Sequence, residues 1–180
     1  MEIHDAIEML RDAVGDRGGL WADLGAGTGT FTRALARTLA PPSTIYAVDD
    51  DATAVRALRE LPGTDGVRVI PVKADFTRPL ELPGIGASLL DGILLANALH
   101  FVPDAPETLG RLAQRLRPGG RVAVVEYDRR DASRWVPYPI PMARWPEVAT
   151  AAGLTGAAIR ATQPSAYEGI LYTAVATNGL

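Results

Sequence analysis

The sequence contains no cysteine and only two histidines, and these scarcities exclude several kinds of site at once. Without cysteine the chain can form no disulfide, no thiolate zinc site and no iron–sulfur cluster, and it has no cysteine nucleophile. His4 and His100 are too few for a histidine-rich metal centre. We therefore expect chemistry that uses no bound metal.

Basic charge and long apolar runs are also scarce. The chain has 18 basic and 21 acidic residues, a net charge of −3, so no global basic field attracts a nucleic-acid backbone. The longest apolar stretch, Gly92–Val102, has about half of the roughly 20 residues that a membrane span requires. The acidic N-terminus is unlike a secretory signal. We expect a cytoplasmic chain whose partners are neither nucleic acid nor membrane.

The length of 180 residues suits one domain of roughly 100–200 residues. The sequence is 47% hydrophobic and 22% charged, which is typical of a globular chain. No repeat, low-complexity tract or linker interrupts it. We therefore predict a single domain over residues 1–180.

Short apolar runs of strand type alternate with apolar residues at helical spacing. The predicted strands are 20–24, 44–48, 67–72, 89–96, 121–127, 157–163 and 170–177. The predicted helices cover 3–14, the segment ending at Pro41-Pro42, a segment capped by Asp51, and a segment from Asp104 through Leu116. The last two strands are joined too closely for a crossover helix, so they should pair antiparallel. This pattern predicts an α/β, doubly wound, seven-stranded and mostly parallel sheet with helices on both faces.

Three glycines, Gly25, Gly27 and Gly29, lie between the first strand and its helix, where they let the backbone approach a ligand. The alternative is a tight turn that holds nothing. The spacing is G-x-G-x-G, and Thr30 stands where the dinucleotide fingerprint has its last glycine. Asp23, just before the loop, would repel a phosphate but suits a ligand that carries positive charge.

Acids follow the next two predicted strands. Asp49, at the end of the second strand, can accept both hydroxyls of a ribose. Asp75 can accept from an adenine amine while Phe76 covers the base. The alternatives are that the Asp49–Asp51 run only caps the next helix and that Asp75 is a turn residue. A ligand with an amino-acid cation, a ribose, an adenine and no phosphate is S-adenosylmethionine.

With these motifs the chain resembles the class I (Rossmann-like) S-adenosylmethionine-dependent methyltransferases. The resemblance is carried by Asp23–Gly29, Val48-Asp49, Ala74–Phe76, Asp91–Asn97 and Leu116–Gly120, and it covers essentially the whole chain. It implies the strand order 3-2-1-4-5-7-6 with strand 7 antiparallel, and S-adenosylmethionine as the cofactor. The cofactor-binding residues it implies are Asp23, Gly25, Ala26, Gly27, Thr28, Gly29, Thr30, Asp49, Asp50, Asp75, Phe76 and Asn97.

Methyl transfer is an in-line displacement whose barrier falls mainly through alignment, so a base is needed only if the nucleophile arrives protonated. In this fold the ends of strands four and five face the transferred methyl. His100 is the best candidate base, since its ordinary pKa is near neutrality. Tyr127, in the run Glu126-Tyr127-Asp128, is the second catalytic candidate. For both residues the alternative is a purely structural role.

The segment from Arg129 to Trp145 has alternating prolines that force an extended path. We predict that it walls the acceptor site through Arg134, Trp135 and Tyr138; the alternative is a stiff connection. Arg129, Arg130 and Arg134 could attract an anionic acceptor. Arg111 and Arg115 share a helix face and are expected to be solvated.

The expected acceptor is a small molecule. Cytosine-C5 enzymes need a cysteine, and the Asn97–His100 tetrad lacks the prolines of enzymes that methylate amino groups in DNA. Only one helix precedes the first strand, so the acceptor site is expected to be open or to be completed by a second subunit, as in a homodimer. Two other functions stay open: a non-catalytic domain that binds S-adenosylmethionine, and an NAD(P)-dependent reductase.

Overall fold

The computed structural model describes residues 1–15, 18–129, 131–165 and 169–179, and these form one seven-stranded sheet. The strand order is β3-β2-β1-β4-β5-β7-β6, as the family resemblance implies. β7 runs antiparallel to both of its neighbours, and the other pairs are parallel. The strands are β1 Gly19–Leu24, β2 Ser43–Asp49, β3 Val67–Lys73, β4 Leu90–Ala96, β5 Leu116–Tyr127, β6 Leu154–Pro164 and β7 Ile170–Asn178.

Helices cover both faces of the sheet because the central strands are apolar on both sides. Along β4, Ile93 and Leu95 belong to one core cluster, whereas Leu94 and Ala96 belong to the opposite one. Such alternation is the geometry of a strand buried on two faces. The helices are α1 Ile3–Val14, α2 Thr30–Thr38, α3 Ala52–Arg59, α4 Ala105–Ala113 and α5 Trp145–Ala151, with 3₁₀ turns η1 Leu99–Phe101 and η2 Met142–Arg144.

The helix predicted from Asp104 through Leu116 is wrong at its C-terminal end. Asp104 caps α4 as expected, since its side chain accepts from the Glu107 N–H at 2.9 Å. The helix stops at Ala113, and Leu116 is the first residue of β5. The reason lies in β7, where Asn178 Nδ2 donates to the carbonyl of Leu116 at 3.0 Å and fixes this stretch against the sheet.

Trp145 belongs to the core rather than to an exposed wall. It begins α5, is fully buried, and donates from Nε1 to the Val175 carbonyl at 2.9 Å. The proline-rich segment is therefore anchored at its C-terminal end. In the part of the chain that the structure describes, no helix has both the length and the apolar character needed to cross a membrane.

β1 and β4 pack closely against each other, and this close contact depends on Gly92. Gly92 pairs with Trp21, and a Cβ added at Gly92 would overlap the Trp21 ring. We expect Gly92→Ala to lower the free energy of unfolding by about 1–3 kcal/mol through overpacking, measured by denaturant titration. Gly63→Ala is the control, because a Cβ there meets nothing within 4 Å. Equal stability of the two variants would contradict this packing.

Candidate active site

A cavity of about 340 Å³ opens at the carboxyl ends of β1 to β4, where a doubly wound sheet binds its ligands. We call it the Asp49 cavity. It brings together six of the twelve residues predicted to bind the cofactor: Gly25, Asp49, Asp50, Asp75, Phe76 and Asn97. Ala74, Thr77, Ala98, Phe101 and Val102 complete its lining.

The glycine loop serves packing as well as ligand access. A Cβ on Gly25 would lie 2.7 Å from the Ala98 Cβ, so only glycine lets β1 approach the end of β4 so closely. Gly29 has a φ of 90°, and a Cβ there would lie 2.7 Å from Leu61 Cδ1 beside α3. Ala26 packs against the same helix through Leu58. Ala26 and Gly29 therefore face α3 rather than the Asp49 cavity.

The two threonines of the loop lie elsewhere. Thr28 is exposed at the tip of the loop. Thr30 is the first residue of α2 and lines a separate cavity of about 320 Å³, shared with Asn97 and Tyr127. We call this the Thr30 cavity. The loop thus borders two adjacent spaces.

In the acidic run Asp49–Asp51, Asp49 binds the glycine loop and Asp51 caps the next helix. Asp49 Oδ2 accepts from the Gly27 N–H at 2.8 Å, and its Oδ1 accepts from the Asp51 N–H at 2.9 Å. A carboxylate has about four acceptor positions, so each Asp49 oxygen retains one. Asp51 caps α3 by accepting from the N–H groups of Thr53 and Ala54, and the bond from Ala54 above all lowers the Asp51 pKa. The capping role is confirmed for Asp51, whereas Asp49 ties β2 to the glycine loop.

Asp75 is held in a turn of its own. Its Oδ1 accepts from both the N–H and the hydroxyl of Thr77, at 2.8 and 2.6 Å. The hydroxyl bond is the main cause that lowers the Asp75 pKa. The other oxygen, Oδ2, lies 3.4 Å from Arg78 Nε. Arg111 was expected to be solvated, but it donates to the backbone carbonyls of the loop that follows Asp75.

Two buried side-chain oxygens beneath the glycine loop have no partner among the described residues: Asp23 Oδ1 and Asn97 Oδ1. Asp23 is fully buried, and its Oδ2 accepts from the Thr32 hydroxyl at 2.6 Å. Burial raises the pKa of Asp23 to about 7, against the lowering effect of the Thr32 bond, and the nearby Asp49 charge adds to the rise. Asn97 directly follows β4, has a φ of 53° and borders the Asp49 and Thr30 cavities.

A third cavity, of about 430 Å³, lies on the other side of Asn97, and we call it the His100 cavity. His100 is buried, and its Nδ1 lies 2.5 Å from Glu126 Oε2. Glu126 Oε1 accepts from the N–H groups of Leu99 and His100, at 3.0 and 3.2 Å. No hydrogen-bond partner for the second ring nitrogen, Nε2, is found in the described part of the chain.

Aromatic side chains line the His100 cavity. Tyr127 lies with its ring centroid 6.0 Å from that of His100, and Trp135 is 73% exposed at the mouth. Phe101, which the sequence did not single out, borders both the Asp49 and the His100 cavities. The one feature of the sequence that could have indicated Phe101 is that its apolar ring is next to His100 and follows a buried strand. Arg129 is the one basic side chain in the described lining.

Residues of the proline-rich segment line two different spaces beside η1. Trp135 reaches the His100 cavity, and the Arg134 guanidinium lies over its ring at 5.4 Å from the centroid. Tyr138 instead lines a neighbouring groove of about 770 Å³, together with Pro137, Pro139 and Pro141. The Tyr138 N–H donates to the His100 carbonyl at 3.0 Å, which ties the segment to η1. Arg134 lines neither space, and Arg130 lies outside the described residues.

No cluster of three or more histidine, aspartate or glutamate side chains among the described residues is placed to hold a metal ion.

The raised pKa of Asp23 predicts a pH-dependent cost to stability. Below the ordinary value of 3.8 the carboxyl is protonated in both states; between 3.8 and about 7 only the unfolded chain ionises, so stability falls as pH rises. Asp23→Asn removes this dependence and can still accept from Thr32. We expect the stability of Asp23→Asn relative to wild type to rise by about 2–3 kcal/mol from pH 5 to pH 8, measured by denaturant unfolding. A difference that does not change with pH would contradict the buried neutral carboxyl.

Comparison with known proteins places this geometry in a family. A family model described as a methyltransferase domain matches residues 22–122, more than half of the chain. The chain is 28% identical over 161 residues to the reducing polyketide synthase grgA of a Penicillium species, covering 78% of this chain and 6% of that protein. It is 38% identical over 117 residues to trans-aconitate 2-methyltransferase of Pseudomonas aeruginosa, covering 62% of this chain and 37% of that enzyme. The chain thus spans less than half the length of either curated relative.

Solved structures share the fold. A SAM-dependent methyltransferase from Aquifex aeolicus superposes with a TM-score of 0.73 at 17% identity, covering 96% of this chain and 89% of that one. At this identity the likeness concerns the fold alone. Together with the family match, it shows that the chain belongs to the class I S-adenosylmethionine-dependent methyltransferases.

Proposed function

We propose that this chain transfers the methyl group of S-adenosylmethionine to a small-molecule acceptor from which His100 removes a proton. The proposal is carried by one observation: the paired His100 and Glu126 lie in a wall next to the Asp49 cavity. When bound, S-adenosylmethionine supplies an electrophilic methyl group on a sulfonium centre. The chain's own residues have to hold the donor, orient the acceptor and take up a proton.

The Asp49 cavity fits a donor that carries positive charge and no phosphate. Its described lining has three carboxylates and no basic side chain, an unfavourable setting for the pyrophosphate of NAD(P). Asn97, which lines the cavity and has a side-chain oxygen without a partner among the described residues, is suited to the donor's amino-acid end. Asp49 has spare acceptor positions for ribose hydroxyls, while Asp75 and Phe76 are suited to the adenine.

His100 has the arrangement of a general base. Because Glu126 Oε2 lies against Nδ1, the ring proton is held on Nδ1 and the lone pair of Nε2 is left to accept a proton. The Glu126 carboxylate also stabilises the imidazolium that forms when Nε2 takes up that proton. A proton released by the acceptor during transfer would pass to Nε2 and from there to solvent.

The His100 cavity favours a small, flat or apolar acceptor that carries negative charge. Its volume of about 430 Å³ is in the range of small-molecule sites, about 300–1,000 Å³. Tyr127, Trp135 and Phe101 supply apolar rings, and Arg129 supplies a positive charge with no carboxylate in the described lining. The name of the relative trans-aconitate 2-methyltransferase, which denotes a small organic acid, supports the same class. The oxygen or carbon atom that loses an acidic proton in such a molecule is a suitable nucleophile.

The two aspartates after β2 provide a matched pair for donor binding. We expect Asp49→Ala to weaken S-adenosylhomocysteine binding by about 10- to 100-fold, because it removes the ribose acceptor and releases Gly27, measured by isothermal titration calorimetry. Asp51→Ala removes only the α3 cap, so it should lower the melting temperature and leave the affinity within about twofold. Unchanged binding in Asp49→Ala, or no binding by wild type, would contradict the donor site.

The proposed base predicts a kinetic signature. In a labelled-methyl assay on a panel of small organic acids, phenols and β-dicarbonyl compounds, we expect His100→Gln to lower kcat by about 10²- to 10⁴-fold without loss of donor affinity. The loss should shrink as pH approaches the pKa of the acceptor, since a deprotonated acceptor needs no base. Glu126→Gln should lower kcat by a smaller factor, and this loss should also shrink as pH approaches the pKa of the acceptor.

Two results would count against this function. Equal kcat in wild type and His100→Gln would contradict the role of His100 as the base, although methyl transfer itself would still be supported. Tight donor binding with no transfer to any acceptor in the panel would favour the non-catalytic binding domain.

A further inference from the structure

Arg111 joins α4 to the loop that follows Asp75, although the two segments are far apart in the sequence. Arg111 Nη1 donates to the Arg78 carbonyl at 2.6 Å, and Nη2 donates to the Thr77 carbonyl at 2.7 Å. Both nitrogens lie 3.4 Å from the Phe76 carbonyl. One guanidinium therefore contacts three successive backbone carbonyls, which its planar array of five N–H donors makes possible.

The same loop is held from its inner side by Asp75. Asp75 Oδ1 accepts twice from Thr77, and the Asp75 carbonyl accepts from the Arg78 N–H at 3.1 Å. These bonds close a turn whose carbonyls accept from Arg111 in α4. Thr77 and Arg78 are exposed and make no core contacts. Without Arg111, water would replace the guanidinium and the loop would keep only the inner bonds.

The position of this loop determines which groups face the Asp49 cavity. Asp75 Oδ1 is occupied by Thr77, so Oδ2, which lies 3.4 Å from Arg78 Nε, is the oxygen with acceptor positions left for a ligand. Phe76 Cε1 lies 3.5 Å from where a Gly25 Cβ would stand, which places the ring edge at the cavity wall. A small rotation of the turn would withdraw both groups together.

We propose that Arg111 is a positioning residue that makes the donor site selective for adenine by fixing the Phe76–Arg78 loop and, through it, Asp75 and Phe76. This inference rests on the proposed function, since it takes the Asp49 cavity as the donor site. Arg111 itself contacts backbone and need not touch the ligand. Its contribution is the geometry of an acceptor for the adenine 6-amino group.

The test compares two ligands that differ at that amino group and in the proton that the inosine base carries on N1. Calorimetry is run with S-adenosylhomocysteine and with S-inosylhomocysteine, which has a carbonyl oxygen in place of the amine. Wild type is expected to prefer the adenine ligand by about tenfold, the effect of one hydrogen bond to a charged group. Arg111→Met should reduce the preference to about twofold or less, and Arg111→Lys should fall between them. Arg37→Met, at an exposed arginine in the last turn of α2, is the matched control and should keep the wild-type preference.

Amide hydrogen exchange of ligand-free protein supplies a second readout. Exchange in the peptide covering residues 74–80 should speed up in Arg111→Met and stay unchanged in Arg37→Met. An unchanged ligand preference in Arg111→Met would overturn the proposal, including the case in which both affinities fall by the same factor. If wild type binds neither ligand, the proposed function itself fails, and this outcome is distinct from loss of preference in the variants alone.

Discussion

One buried carboxylate, that of Glu126, organises the side of the site that contains His100. It accepts from the backbone N–H groups of Leu99 and His100 and pairs with the His100 ring, so three donors surround it. A buried carboxylate is costly unless its oxygens are satisfied, and here the η1 turn supplies all three partners. Since Glu126 is the penultimate residue of β5 and η1 follows β4, the pairing of these neighbouring parallel strands brings Glu126 and η1 together. The wall formed by His100 and Phe101 depends on this interaction.

Charge separates the two halves of the site. The Asp49 cavity has three carboxylates in its described lining, whereas the His100 cavity has Arg129 and none. The proposed cationic donor and the proposed anionic acceptor would therefore each be attracted to a different side of Asn97, which borders both cavities. Burial raises the Asp23 pKa, and a bound cation next to that carboxyl would oppose this rise by favouring the ionised form.

Much of the fold could be predicted from the sequence because local signals were strong, and six of the twelve residues predicted to bind the cofactor line one cavity. The capping role of Asp51 depends on residues only two or three positions away, and the strand order followed from a family resemblance carried by short motifs. The end of α4 was misplaced because Asn178, from the far end of the chain, fixes Leu116 in a strand. Arg111 was wrongly expected to be solvated, since its carbonyl partners lie 33 to 35 positions away. The Glu126–His100 pair likewise depends on the register of β4 and β5, which periodicity does not reveal.

The central claim is that Glu126 holds the His100 proton on Nδ1 and leaves Nε2 as the free base. Nitrogen-15 NMR of protein labelled at histidine tests this directly, and the chain has only His4 and His100 to assign. We expect His100 at neutral pH to show a hydrogen-bonded proton on Nδ1 and an unprotonated Nε2. A proton on Nε2 with a bare Nδ1 would contradict the proposed base.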